Sequence, residues 1–151
     1  MPKRPSTTAR LKTPGEREHL HRHLTRALAL RGCATCADVV RAGVSTAEES
    51  TASLVDFAEC ARREGVPALA ERALRTAAEL TLPTHLDTMA HASVLWVFVA
   101  RTRLAQLLAE TGRRDEALAL FASVQQRWRN ADRPLPILEE ARRGLRQLRT
   151  R

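Results

Sequence analysis

The sequence has no tyrosine, and its aromatic complement is Phe57, Phe98, Phe121, Trp96 and Trp128. No rings are interleaved with the arginines at 142, 146 and 149, so a surface there for stacking on bases is not expected. It has three cysteines, Cys33, Cys36 and Cys60, an odd number that does not suggest a secreted disulfide framework. The longest unbroken apolar run, Val94 to Ala100, falls far short of the roughly 18 residues of a membrane span. No apolar segment of the kind found in signal peptides follows the basic start. Together these absences predict a soluble, cytoplasmic protein with no membrane span. No Ser/His/Asp order and no glycine-rich phosphate loop occurs either, so neither catalysis nor a cofactor is expected.

Charge is plentiful and unevenly placed. The formal net charge is +8. Lys3, Arg4, Arg10 and Lys12 at one end, with Arg142, Arg143, Arg146, Arg149 and Arg151 at the other, account for the whole excess, and neither stretch holds an acid. The middle of the chain is electrically balanced, so any polyanion contact would use the ends. Arg142, Arg146 and Arg149 share one side of a terminal helix and are the candidates for such contacts. The bland alternative is a solvated helix face.

Periodicity fills the chain with helices. Residues 1–12 lack it and read as a disordered basic tail; residues 13–151 read as a single α-helical domain. Thr13-Pro14-Gly15-Glu16 is a capping box that opens a helix to about Leu30, with Leu20, Leu24, Ala27 and Leu28 as its buried stripe. A short helix over about 34–42 follows. Ser45 to Glu48 is a second capping box, opening a helix that buries Leu54, Val55, Ala58 and Ala61. Pro67 opens the next, which closes before Pro83. The fifth helix, starting near Thr84 and Asp87, is apolar almost all round, so it is either central or covered by an oligomer interface. Leu104 to Phe121 reads as two amphipathic helices folded across Gly112, with Asp115 and Glu116 where the second helix's dipole favours negative charge. Pro136 starts a last helix carrying Leu138, Ala141, Leu145 and Leu148. Gly32, Gly43, Gly65 and Gly112 are the expected stops. The class is all-α, with seven helices.

A repeat underlies this order. Gly32, Gly65 and Gly112 each have alanine five residues later: Ala37, Ala70 and Ala117. Eight residues before each stands Leu24, Phe57 or Leu104, and four before stands Leu28, Ala61 or Leu108. Glycine makes the turn, and the small alanine lets the second helix approach the first. The pattern resembles the tetratricopeptide repeat family, best over residues 100–133, where Leu104, Leu108, Gly112, Ala117 and Phe121 carry the match. The spacing departs from the family's period of 34, being 33 residues from Gly32 to Gly65 and 47 from Gly65 to Gly112. The resemblance implies antiparallel hairpins (13–43, 45–82 and 84–129) stacked as a short right-handed α-solenoid, with 136–149 as the capping helix. It further implies a non-enzymatic adaptor that binds a protein or peptide partner in a groove lined by the first helix of each pair, here the third and fifth.

Other constellations carry rival readings. Cys33-x-x-Cys36 has the spacing of half a zinc site or a redox pair, but no second such motif exists to complete four ligands. His19 and His23 share a helix face without the carboxylate of a metalloprotease motif, so no metal site is assigned. Residues 38–52 look like a helix-turn-helix and, with the basic termini, give the alternative of a DNA-binding regulator. Against it, Glu48 and Glu49, with no Lys or Arg from Val44 to Glu59, make a poor surface for phosphates. Nucleic acid is therefore the less favoured partner.

Overall fold

Two turns of the same construction organise the chain. At each, an amphipathic helix ends on a glycine with positive φ, 72° at Gly65 and 83° at Gly112, a conformation that a Cβ would strain. The residue after the glycine then donates back across the helix end. The Val66 N–H donates to the Ala61 carbonyl at 2.8 Å, and the Arg113 N–H to the Leu108 carbonyl at 2.8 Å. These are Schellman closures, and the short connections fold each helix pair antiparallel.

The computed structural model describes residues 14–30, 32, 35–44, 50–79, 90–130 and 135–150. Among them are seven helices and no strand: α1 (Pro14–Leu30), α2 (Cys36–Ala42), α3 (Thr51–Arg63), α4 (Pro67–Glu79), α5 (Ala90–Glu110), α6 (Arg114–Arg127) and α7 (Pro136–Arg149). The fold is all-α. Each helix packs on the next, and in addition α3 touches α5 and α5 touches α7. The odd-numbered helices α3, α5 and α7 thus form a row, with α4 and α6 laid against it.

The core follows from small residues at the crossings. Ala58, Ala61, Ala70, Ala73, Ala77, Ala105 and Ala117 are buried, and they let Leu54, Phe57, Leu74, Leu104, Leu108 and Phe121 interlock around them. Helix α5 is central: it packs against α3, α4, α6 and α7, which accounts for its nearly continuous apolar surface. Near its start Phe98 meets Trp128 edge-on, with ring centroids 5.5 Å apart. The Arg101 guanidinium lies over Phe98 at 5.2 Å, and its Nε donates to the Ala78 carbonyl near the end of α4. One arginine therefore covers an aromatic face and satisfies an orphan helix carbonyl.

Three expectations are corrected at the N-terminal side. Leu24, Ala27 and Leu28, expected to be buried, are exposed, and it is Arg26 that turns inward. The reason is geometric: α1 packs on α2, whose seven residues make only about two turns and cannot cover a longer helix. Helix α2 begins at Cys36 rather than 34, because Thr35 and Asp38 form a capping box there. Helix α3 is capped by Ser50, whose Oγ accepts from the Ser53 N–H. The capping boxes expected at residues 13–16 and 45–48, the basic tail 1–12, and the stretch 84–89 are not covered by the described residues in full.

Candidate functional site

The exposed side of α5 is a single stripe. Trp96, Val99, Arg103, Gln106 and Glu110 follow one another at alternating spacings of three and four, which keeps them on one helix face. The neighbouring helices present matching stripes: Glu59 and Arg62 on α3, whose other face sends Leu54, Phe57 and Ala61 into the core, and Glu140, Arg143 and Gln147 on α7. All of these residues line depressions along the odd-numbered row.

The depressions are neighbours. Between α3 and α5 lies one of about 520 Å³, walled by Val55, Asp56, Glu59, Trp96, Val99 and Arg103. A second, of about 490 Å³, extends over the α3–α4 turn to Leu107 and shares Glu59, Arg62 and Arg63 with the first. A third, of about 260 Å³, lies between α5 and α7 and shares Glu110 with the second. Adjacent depressions thus share wall residues and lie side by side along three helices.

Its charges are balanced: Asp56, Glu59, Glu110 and Glu140 against Arg62, Arg63, Arg103 and Arg143. Most are engaged with one another. Arg62 Nη2 donates to both carboxylate oxygens of Glu110, at 2.8 and 3.1 Å, and so spans α3 and α5. Arg103 Nη1 donates to Glu140 at 2.9 Å and to Gln106 at 3.0 Å, spanning α5 and α7. On the other side of the molecule Glu71 of α4 and Glu116 of α6 share Arg75 and Arg113. Hydrogen bonds from Arg75 above all hold the Glu71 carboxyl below its ordinary range, and those from Arg113 do the same for Glu116. Asp56 moves the opposite way. Burial raises it, partly opposed by the charge of Arg26 on α1.

The cysteines depart from expectation. Cys36, at the start of α2, is bonded to Cys60 of α3, with the two Cα atoms 4.7 Å apart. Cys36 thus pairs across helices and not with Cys33, which lies outside the described residues. Among the described residues no group of three or more His, Cys, Asp or Glu side chains is placed to hold a metal ion. No described helix is long and apolar enough to cross a membrane.

The residues singled out by the repeat pattern divide in two. Phe57, Ala61, Ala70, Leu104, Leu108, Ala117 and Phe121 are buried, and Gly65 and Gly112 make the turns already described. In the first unit Gly32 has positive φ, Ala37 is half-buried, and Leu24 and Leu28 are exposed. Of the arginines on α7, Arg142 is paired with Glu139 at 2.7 Å, while Arg146 and Arg149 are exposed. Within residues 38–52, Arg41 turns back onto Asp38 of its own helix at 2.8 Å. The groove residues themselves went unassigned from the sequence. Their signal is a polar stripe at three–four spacing that emerges only in the second half of α5.

No family model, no curated protein and no solved structure matches the chain.

Proposed function

We propose that the protein is a non-catalytic binding module of the tetratricopeptide type, an adaptor whose α3–α5–α7 face receives a peptide or helix of a partner protein. One observation carries the reading: three depressions, neighbouring ones with wall residues in common, follow the row of odd-numbered helices. In this reading the hairpins α3–α4 and α5–α6 are stacked units and α7 is the capping helix. Trp96 and Val99 supply the apolar contact, and the alternating arginines and carboxylates around them select the partner's charges. The balance of charge in the groove suits a protein segment of mixed charge better than a polyanion. The setting we assign is cytoplasmic.

The test is site-specific photocrosslinking in native lysate. A photoreactive residue replaces Trp96 in the groove and, in a second protein, Gln126 on the exposed side of α6. Discrete protein adducts from position 96 and none from 126, lost when Arg103→Glu is added, are expected. Folded protein giving no adduct at 96, or equal adducts at both positions, sinks the proposal. The rival DNA-binding reading is checked on the same preparations by a gel shift over a salt series. A shift abolished by Arg146→Glu with Arg149→Glu, in the absence of groove adducts, would replace the adaptor reading.

A further inference from the structure

The Cys36–Cys60 bond sits where the N-terminal hairpin has little else to hold it. Helix α1 packs on α2, and α2 on α3. The apolar stripe of α1 faces solvent at Leu24 and Leu28, and among its described residues Ala29 is the apolar side chain packed against the core. From α2 only Val39 is fully buried, with Cys36 and Val40 half-buried beside it. On α3, Asp56 and Cys60 stand four residues apart and therefore share a side of that helix. That side meets the hairpin at two points: Arg26 of α1 acts on Asp56, and Cys36 of α2 is bonded to Cys60. Asp56 also walls the groove, so the hairpin borders the binding face directly.

We infer that the Cys36–Cys60 bond is a reversible redox latch, closing the α1–α2 hairpin over the Asp56–Cys60 side of α3 and releasing it on reduction to widen the groove. The inference rests on the binding-module reading for its consequence, though not for the latch itself. It is favoured by the cytoplasmic setting assigned above, where disulfides are characteristically transient and redox-sensing.

The chemistry is ordinary thiol–disulfide exchange with a dithiol reductant. One thiolate of the reductant attacks Cys36 Sγ, since Cys36 is half-buried whereas Cys60 is buried. The Cys36–Cys60 bond breaks, and Cys60 leaves as a thiolate and takes a proton. The reductant's second thiolate then attacks the mixed disulfide, leaving Cys36 as a thiol and the reductant as its own disulfide. Two electrons pass to the protein. Reoxidation is the reverse exchange with a disulfide such as oxidised glutathione. Release is expected to leave α3 to α7 packed as before, because α2 gives the core from Leu54 to Leu145 only the buried Val39 and the half-buried Cys36 and Val40.

Hydrogen exchange read by mass spectrometry tests this on the full chain in a Cys33→Ser background, which prevents exchange within the 33–36 motif. The oxidised protein is compared with the same protein after treatment with a small dithiol. Exchange in α2 is expected to rise at least about tenfold on reduction, with α5 and α6 unchanged. Cys36→Ser, which leaves the buried cysteine in place, is expected to match the reduced form without any reductant. Equal exchange in α2 in both states would overturn the latch. So would loss of protection in α5 along with α2, since the bond would then be a staple for the whole fold. Because these readouts need no partner, failed crosslinking at position 96 leaves the latch standing, and a failed latch leaves the groove standing. If both hold, the yield of adducts at position 96 changes on reduction.

Discussion

Gly144 offers a sharp test of the packing, because it lies inside α7 where glycine is ordinarily a weakness. A Cβ built there falls 2.6 Å from Phe121 Cε2 and 2.8 Å from Cε1, and nearer still to Cζ. The ring cannot withdraw easily, being itself 1% exposed within the core. Replacing glycine with alanine inside a helix normally gains about 1 kcal/mol. Forcing a methyl into a filled core costs about 1–3 kcal/mol. Gly144→Ala is therefore expected to be net destabilising, by up to about 2 kcal/mol, with a Tm lower by roughly 2–4 °C per kcal/mol for a chain of this size. The decisive comparison is a double-mutant cycle with Phe121→Leu, which removes the atoms that would clash. In that background Gly144→Ala is expected to regain the helix term and stabilise by about 1 kcal/mol, a change of sign. Urea titrations followed by far-UV circular dichroism, with m unchanged, supply the four free energies. Equal stabilisation by Gly144→Ala in both backgrounds would mean that α7 does not press on Phe121, and the seating of α7 in this fold would be wrong.

Three further outcomes are expected. Thr102 is fully buried in α5, and its hydroxyl has no hydrogen-bond partner among the described residues. Thr102→Val should stabilise by about 1 kcal/mol in the same titration, and a loss would show that the hydroxyl is satisfied after all. Leu108→Ala, at a site with no exposure, should cost about 2–5 kcal/mol, whereas Leu95→Ala, at 41% exposed, should stay within about 0.5 kcal/mol; similar costs would mean that α5 is rotated. Glu71 and Glu116 are held below the ordinary glutamate value of 4.5, so their contribution is complete above that value. It is lost as pH falls through their depressed values. The pH dependence of the urea midpoint between pH 6 and 3 should therefore weaken in Glu71→Gln, and an unchanged slope would refute the α4–α6 network.

What the sequence disclosed depended on how local the cause was. The glycine stops and the Leu104–Phe121 hairpin were legible because a turn is decided within a few residues: Gly32, Gly43, Gly65 and Gly112 all have positive φ. The position of α5 was legible because a helix apolar on every side has to be surrounded. Capping at α2 was missed although its signal was present, since Asp38 fills the place usually sought as Glu or Gln. The exposure of Leu24 and Leu28 was not legible, because their spacing promises a partner and only the shortness of α2 denies it. The Cys36–Cys60 pair depends on how α2 crosses α3, which no spacing along the chain encodes. Groove residues are hidden for a similar reason: Trp96, Arg103 and Glu110 become one surface only when α3 and α7 flank them.

The arginine–glutamate pairs that cross from α3 to α5 and from α5 to α7 also bear on mechanics. Each joins neighbouring members of the row, so the pairs act as struts from α3 to α5 and from α5 to α7. Struts made of exposed charge soften as ions screen them, over a Debye length of about 8 Å at physiological salt. The apolar core behind them does not soften in this way. Salt is thus expected to loosen these two ties between helices, at Arg62 and Arg103, before it disturbs the core.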